Sequence, residues 1–279
     1  MSIVVIGDQM VHYEVIGRGR PVIFLHGWLG SWRYWFPSME AVSRDFRAFS
    51  FDFWGFGGSQ RQHATGGIEV YSSQVIQFLD ALGIDRVMLV GHSMGGMVAM
   101  KTALDHPERV LQVVTVGAPF QGRSLSWLLK MARYRTLVHT FGESAWLRRT
   151  VFRFFMGEFN DPSISEILND TVKSSADTLC YTVRSMLATD LRPELANLRV
   201  PTLVMHGGRD DVVNPKQVDL FDHVGSAGVV VLRDSRHFPF LDETDLFNDL
   251  LVRFLKQNLV TPAPTTDRLQ LPASPITSG

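Results

Sequence analysis

The sequence has very little cysteine and no long apolar stretch. Cys180 is the only cysteine among 279 residues, so no disulfide within the chain is possible and the fold does not depend on oxidation. No hydrophobic run reaches the roughly 20 residues that a membrane-spanning helix needs. The apolar run Ile3–Ile6 ends at Gly7, too early for a secretory signal peptide. These absences predict a protein with no membrane span, located in the cytoplasm.

An excess of charge of either sign is also missing. The chain has 27 Lys and Arg residues and 28 Asp and Glu residues, a net charge of −1, which argues against a nucleic-acid partner. The histidines show no H-E-x-x-H spacing and no cluster with cysteine, so no metal is expected. The segment Gly55-x-Gly57 lacks the third glycine of a dinucleotide-binding loop, so no cofactor is expected either.

The chain does have a regular alternation of strand-length apolar runs and amphipathic helical segments. Strands that are covered on both faces are apolar along their whole length, and so are four early runs: Pro21–Gly27, Phe46–Phe51, Val87–Val90 and Val110–Val116. Helical patterns of crossover length separate most of these runs. The alternation predicts the α/β class, with a doubly wound, mostly parallel sheet.

The alternation is interrupted in the middle of the chain. Residues 120–197 show helical patterns and no convincing strand, and the strands resume at Val200–Gly207. We therefore predict one core formed by residues 1–119 and 198–260, with a helical insertion at 120–197. The tail 261–279 is rich in Pro, Thr and Ser and has little to bury, so we expect it to be disordered.

The most informative motif is Gly91-x-Ser93-x-Gly95, between the apolar run that starts at Val87 and a helical segment. This spacing is typical of a nucleophile elbow, a sharp turn from strand to helix that exposes its central side chain above the sheet. Side chains at the two glycine positions would collide with neighbouring backbone. The free N–H groups at the start of the helix favour negative charge. The motif thus predicts that Ser93 attacks a carbonyl and generates an oxyanion.

Other polar residues follow the later strands of the predicted sheet. Asp210 and Asp211 come soon after the strand that ends near Gly207, and His237 follows the last strand, Val229–Leu232. In open parallel sheets the chemistry gathers at the carboxyl ends of the strands. We therefore expect these side chains to lie at the same edge as the elbow serine.

Four motifs, in order, resemble those of the α/β-hydrolase superfamily over about residues 10–258. They are His26-Gly27, Asp52-x-x-Gly55-x-Gly57-x-Ser59, Gly91-His92-Ser93-Met94-Gly95-Gly96, and the segment Gly208–Pro215 followed by His237. The order serine, acid, histidine also fits this fold. The resemblance implies that Ser93 is the nucleophile and His237 the base.

The same resemblance implies an acid that holds His237. The usual spacing runs from a glycine through the acid to a proline, and Gly208 and Pro215 both select Asp211, which we predict as the acid. Counting from Gly207 selects Asp210 instead.

The resemblance further implies an oxyanion hole made of backbone N–H groups, those of Trp28 and Met94. His26 is expected to support the neighbouring loops rather than to react. Arg236 stands where the family usually has glycine, immediately before the histidine. The insertion at 120–197 corresponds to the helical cap of the family and is expected to line an apolar pocket.

The function implied is hydrolysis of a carboxylic ester, or a related acyl bond, of a small-to-medium apolar substrate through an acyl-enzyme intermediate. Hydrolysis of a carbon–carbon bond in a ring-cleavage product, or perhydrolysis or acyl transfer, would use the same triad. A non-catalytic ligand-binding module is the alternative of a different class.

The first part of the predicted cap is strongly basic. It carries one Glu143 against seven cationic residues: Arg123, Lys130, Arg133, Arg135, Arg148, Arg149 and Arg153. A solvated surface is the simplest interpretation of this run. An attraction for anionic substrates, or peripheral contact with lipid headgroups, is the alternative.

Overall fold

The computed structural model describes residues 2–59, 67–141, 144–156 and 164–257. One eight-stranded sheet runs through the molecule. Its strands are β1 (Ser2–Ile6), β2 (Gln9–Gly17), β3 (Pro21–Leu25), β4 (Arg47–Phe51), β5 (Val87–His92), β6 (Val110–Val116), β7 (Thr202–Gly207) and β8 (Ala227–Leu232).

The strand order across the sheet is β1-β2-β4-β3-β5-β6-β7-β8. The pairs β1–β2 and β2–β4 are antiparallel, and every later pair is parallel. The predicted α/β class with a mostly parallel, doubly wound sheet is confirmed. The carboxyl ends of the parallel strands lie at one edge of the sheet. The strands in the middle of that edge are β3, β5, β6 and β7.

Helices fill the connections between these strands. They are α1 (Phe36–Ser43), α2 (Ile68–Ala81), α3 (Met94–Asp105), α4 (Trp127–Met131), α5 (Arg135–Phe141), α6 (Ala145–Met156), α7 (Ile164–Asp170), α8 (Ala176–Ala188), α9 (Pro239–Asp242) and α10 (Thr244–Gln257). The segment Pro215–Phe221 is a 3-10 helix. Within the described segments, no helix combines the length and apolar character needed to cross a membrane.

The core forms because the central strands have no polar face. Every residue of β5 and of β7 is buried, α3 packs against β5 and β6, and α2 packs against α3. On α2 the buried side chains include Val75, Phe78 and Leu79, which recur at the spacing of one helical face. The helix ends at Gly83, whose φ of +65° suits glycine.

The chain between β6 and β7 forms helices α4 to α8, and its described residues contain no strand. Three hydrogen bonds tie this region to the chain that follows β3. Asp170 accepts hydrogen bonds from Ser31 Oγ at 2.6 Å and from Arg33 Nε at 3.0 Å, and Trp28 Nε1 donates to the carbonyl of Leu179 at 3.3 Å. The division into a core and a cap at residues 119/120 and 197/198 stays a prediction. The predicted disordered tail, 261–279, lies outside the described residues.

Candidate active site

Ser93 occupies the sharp turn between β5 and α3. Its φ and ψ of 51° and −115° lie in a region that non-glycine residues rarely adopt, and its side chain is almost fully buried. The N–H of Ser93 donates to the carbonyl of Val116 at 2.8 Å, which ties the turn to β6. A Cβ atom on Gly91 would lie 2.2 Å from the Gly95 carbonyl oxygen, so this turn requires glycine there.

His237 follows β8 and is buried beside the elbow. Its Nδ1 atom lies 2.8 Å from Oδ2 of Asp210, and the two side chains are 4% and 0% exposed. The other carboxylate oxygen of Asp210 accepts the N–H groups of Val212 at 2.8 Å and Val213 at 2.9 Å. The carboxylate is therefore held from both sides.

The structure contradicts the prediction of Asp211 as the acid, because Asp210 is the residue that contacts His237. The N–H of Asp210 donates to the carbonyl of Gly207 at 3.2 Å, and this turn directs its side chain inward. The next side chain points outward, and Asp211 instead forms an exposed pair with Arg236 at 2.6 Å. The correct count therefore starts at Gly207.

A second buried histidine, which the sequence analysis missed, also contacts Asp210. His206 Nε2 lies 3.1 Å from Asp210 Oδ2 and 3.2 Å from the carbonyl of Val213. Both neighbours are acceptors, so Nε2 carries the proton. The available signal was the position of His206 at the end of β7, four residues before Asp210.

The surroundings of Asp210 favour its ionised form. Burial alone would raise the pKa of Asp210, but the nearby His237 and the hydrogen bonds from His206 and His237 outweigh burial, so the pKa lies well below its ordinary value. An ionised carboxylate at Nδ1 fixes the tautomer of His237, with its proton on Nδ1 and a lone pair on Nε2.

The loop after β3 forms the other side of the site. The carbonyl of Gly27 accepts hydrogen bonds from His26 Nδ1 at 2.8 Å and from the N–H of Gly30 at 3.0 Å. Because the peptide is trans, the N–H of Trp28 points the opposite way from this carbonyl. Leu29 then adopts a φ of 63°, the second positive φ of a non-glycine residue in the described part of the chain.

His26 has the supporting position that the sequence predicted. Its Nε2 accepts the N–H of Phe53 at 3.0 Å, so Nδ1 is the nitrogen that donates to Gly27. Burial lowers the pKa of His26, which keeps the ring neutral. The hydrogen bonds of its two nitrogens link the loop after β3 to the loop after β4. The assignment of the Trp28 and Met94 N–H groups as oxyanion donors stays a prediction.

A narrow cavity with a volume of about 20 Å³ lies beside Ser93. That space holds little more than one water molecule. The core and the helices of the 120–197 region both contribute to its lining: Trp28, Leu29, His92, Ser93, Leu129, Phe152, Phe155, Val212, His237 and Phe238. None of these lining residues is Arg or Lys, and most are apolar. A substrate of even modest size therefore has to displace side chains of α4 and α6.

Arg236, which departs from the usual glycine, lies at the rim of the site. Its guanidinium pairs with Asp211 and lies 5.5 Å from the centre of the Phe154 ring on α6, and its N–H donates to Asp242 at 2.7 Å. The residue therefore bridges the loop of His237 and the outer face of α6.

Comparison with known proteins agrees with this fold. A family profile described as alpha/beta hydrolase fold matches residues 20–160. The chain is 28% identical to a pimeloyl-[acyl-carrier protein] methyl ester esterase of Vibrio cholerae, over 88% of this chain and 97% of that protein. It is 27% identical to a 2-hydroxy-6-oxo-6-phenylhexa-2,4-dienoate hydrolase of Comamonas testosteroni, over 90% and 93%. The crystal structure of an enol-lactonase from Burkholderia xenovorans LB400 superposes with a TM-score of 0.81 at 24% identity, covering 92% of this chain and 100% of that one.

Proposed function

This chain belongs to the alpha/beta hydrolase fold family, and within that family we propose that it is a serine hydrolase that cleaves carboxylic esters through an acyl-enzyme intermediate. The observation that carries the proposal is the buried Asp210–His237 pair, with its 2.8 Å contact, whose histidine lines the same cavity as Ser93. A serine hydroxyl needs a base within reach, and a base needs a group that orients it.

In the proposed reaction, His237 acts first as a base and then as an acid, both when the acyl-enzyme forms and when water hydrolyses it. His237 Nε2 takes the proton of Ser93 as the serine oxygen attacks the ester carbonyl. The N–H groups of Trp28 and Met94 stabilise the oxyanion of the tetrahedral intermediate. His237 then gives its proton to the leaving alcohol, and the acyl group remains on Ser93. Water repeats the two steps, with His237 again as base and then acid, and releases the carboxylic acid.

The lining of the cavity supports an uncharged, apolar acyl group as the substrate portion next to Ser93. Leu129, Phe152 and Phe155 offer hydrocarbon surface, and no cationic side chain among the described lining residues would pair with a carboxylate. This favours ester hydrolysis over cleavage of an acidic dienol. Perhydrolysis or acyl transfer would require only a different acceptor in place of water. Peripheral contact of the basic cap with lipid headgroups stays a secondary proposal.

The test combines active-site labelling with a graded substrate series. A fluorophosphonate probe is expected to label Ser93, and p-nitrophenyl esters of increasing acyl length are expected to be hydrolysed. Ser93→Ala should lose the label and lower kcat by about 10⁴–10⁶-fold, because the nucleophile is absent. The melting temperature of Ser93→Ala serves as the control for folding. Near-normal ester turnover by this variant would exclude the acyl-enzyme mechanism.

The carbon–carbon alternative is decided by a second substrate class. Turnover of a ring-cleavage dienoate with no turnover of any ester would overturn the proposal in favour of the reaction named for the relative from Comamonas testosteroni. Absence of labelling together with absence of both activities would favour a binding module.

A further inference from the structure

Two buried side chains, Tyr34 and His92, connect the loop after β3 with the loop that carries His237. The N–H of Gly27 donates to the hydroxyl of Tyr34, and this hydroxyl lies 3.1 Å from His92 Nδ1. On its other side His92 Nε2 lies 2.9 Å from the backbone carbonyl of His237. Tyr34 and His92 are 1% and 2% exposed. A continuous hydrogen-bonded chain thus runs from the oxyanion loop to the backbone of the proposed base.

One arrangement of protons satisfies this chain. A carbonyl can only accept, so Nε2 of His92 carries the proton. Burial, and to a smaller extent the neighbouring His237, lower the pKa of His92 well below its ordinary value, so the ring is neutral and Nδ1 is an acceptor. Burial raises the pKa of Tyr34, so its hydroxyl keeps a proton to donate to Nδ1. The hydroxyl oxygen then accepts from Gly27.

Aromatic rings hold both side chains in place. The Tyr34 ring packs edge-on against His92 with centroids 5.6 Å apart, and against Phe238 at 5.9 Å. The His92 ring lies 4.6 Å from Phe238 and 5.1 Å from Phe240. Such pairs restrict ring rotation and exclude water. The chain of hydrogen bonds is therefore a fixed support with little freedom to exchange partners.

We propose that Tyr34 and His92 are positioning residues for the hydrolytic reaction, and that together they set the distance between the oxyanion loop at Gly27 and the base at His237. We call the pair the strut. This inference rests on the proposed serine hydrolase function and deepens it. Neither residue exchanges a proton with substrate, since both ring nitrogens of His92 and the hydroxyl of Tyr34 already have partners. Their effect on the reaction passes through Gly27 and His237.

The first test removes one hydroxyl. Tyr34→Phe keeps the ring but breaks both hydrogen bonds of the hydroxyl. Misplacing reacting groups by about 1 Å can cost about 100-fold, so we expect kcat for a p-nitrophenyl ester to fall about 10- to 100-fold with KM nearly unchanged. Tyr71→Phe is the matched control, because Tyr71 is fully buried and its hydroxyl contacts Trp54 O at 3.3 Å and Thr182 Oγ1 at 3.4 Å instead.

A second variant tests whether the two residues act together. His92→Gln keeps an amide donor near the carbonyl of His237 but has no acceptor at the position of Nδ1, the atom that faces the hydroxyl of Tyr34. If the strut is one unit, the double variant Tyr34→Phe/His92→Gln should have about the same kcat as the worse single variant. If the fold losses in kcat of the two single variants multiply in the double variant, the residues act independently and the strut is overturned. If Tyr34→Phe fails to fold, the kcat of His92→Gln relative to wild type still tests the strut.

A spectroscopic measurement separates this inference from the proposed function. In protein labelled with ¹⁵N-histidine, wild-type His92 is expected to show a neutral ring protonated at Nε2. Tyr34→Phe should shift its Nδ1 resonance, and Tyr71→Phe should not. Absence of Ser93 labelling in the wild type would overturn the function and the catalytic meaning of the strut together. Wild-type labelling and turnover, with Tyr34→Phe and Tyr71→Phe indistinguishable in kcat, would overturn the strut alone.

Discussion

The two walls of the cavity beside Ser93 are built in different ways. The core wall consists of strand ends and tight loops, and the polar side chains on it and directly behind it are held by hydrogen bonds, as at His92, Asp210 and His26. The facing wall consists of apolar side chains on α4 and α6, Leu129, Phe152 and Phe155. The difference indicates a division between two roles. The core wall positions the reacting groups, and the helical wall determines which acyl groups fit.

Backbone strain follows the same division. The positive φ angles of non-glycine residues in the described chain occur at Leu29 and Ser93, both on the core wall. Each such residue costs roughly 1–3 kcal/mol and persists only where the surroundings hold it. The region of α4 to α8 is tied to the core by hydrogen bonds such as those of Asp170 with Ser31 and Arg33. We therefore expect changes on the core wall to affect kcat and changes on the helical wall to affect substrate preference.

The largest effect that tests this division comes from the two adjacent aspartates. Asp210→Asn removes the carboxylate that fixes the His237 tautomer, and the expected loss in kcat is about 10⁴-fold. Asp211→Asn removes only an exposed pair with Arg236, and the expected change in kcat is within about threefold. Steady-state kinetics on one ester, with melting temperatures for both variants, make the measurement.

These neighbouring substitutions control for each other, since both replace a carboxylate by an amide in the same loop. A larger loss in Asp211→Asn than in Asp210→Asn would restore the spacing rule that selected Asp211. Similar small losses in both would mean that His237 works without an acid partner, and the core wall would lose its assigned role.

The aspartates also show what the sequence could and could not determine. Apolar runs and glycine spacing were sufficient to predict the sheet, the elbow at Ser93 and the placing of His237 at the same edge, because strand periodicity and backbone sterics are local properties. The choice between Asp210 and Asp211 depends on a turn closed by one hydrogen bond to Gly207, at 3.2 Å. Two successive side chains of that turn face opposite ways, and spacing alone does not say which faces inward.

Contacts between distant segments were harder still to predict. His92 lies within the elbow motif and His206 lies at the end of β7, yet the contacts of these histidines are with partners 145 and 4 positions away along the chain. Nothing in the local sequence distinguishes Tyr34 from any other core tyrosine. The narrowness of the cavity likewise depends on how α6 packs over the core, which periodicity does not specify beyond a buried face.

A smaller effect is expected from the helical wall. Phe152 is 3% exposed, lines the cavity and lies 5.9 Å from the Phe238 ring, so Phe152→Ala should open space for longer acyl chains. One methylene in an apolar pocket is worth about 10-fold or more in selectivity, and we expect kcat/KM for a long ester relative to a short one to rise by about that factor. The p-nitrophenyl ester series used above measures it.

Phe154→Ala is the matched control on the same helix, because Phe154 is 60% exposed and lies on the outer face. Its chain-length preference should stay close to wild type. If Phe152→Ala lowers kcat equally for every ester, the helical wall takes part in the chemistry and the contrast between the walls fails.

The smallest effect concerns Asp52 and His12, which lie behind the loop after β3. Asp52 accepts the N–H of Trp32 at 2.8 Å and that of Gly58 at 2.8 Å, and its Oδ2 lies 3.2 Å from His12 Nδ1. The hydrogen bond with Asp52 raises the pKa of His12 above 6.5, despite the opposing effect of burial, and Glu14 adds to the rise. Unlike the neutral His26 and His92, this histidine retains its charge to higher pH.

The pH dependence of the free energy of unfolding tests whether His12 keeps its charge to higher pH than a free histidine. A histidine whose pKa is higher in the folded state stabilises the fold fully below its unfolded value, near 6.5, and loses that contribution as the pH rises through the folded value. The free energy of unfolding of the wild type relative to His12→Gln, from urea titrations, should therefore fall above pH 6.5 by up to about 1 kcal/mol. His106→Gln, at an exposed ring 3.7 Å from Glu108, is the control and should show little change. A flat difference for His12→Gln would mean that the contact with Asp52 does not stabilise the charged form of His12 in the folded state.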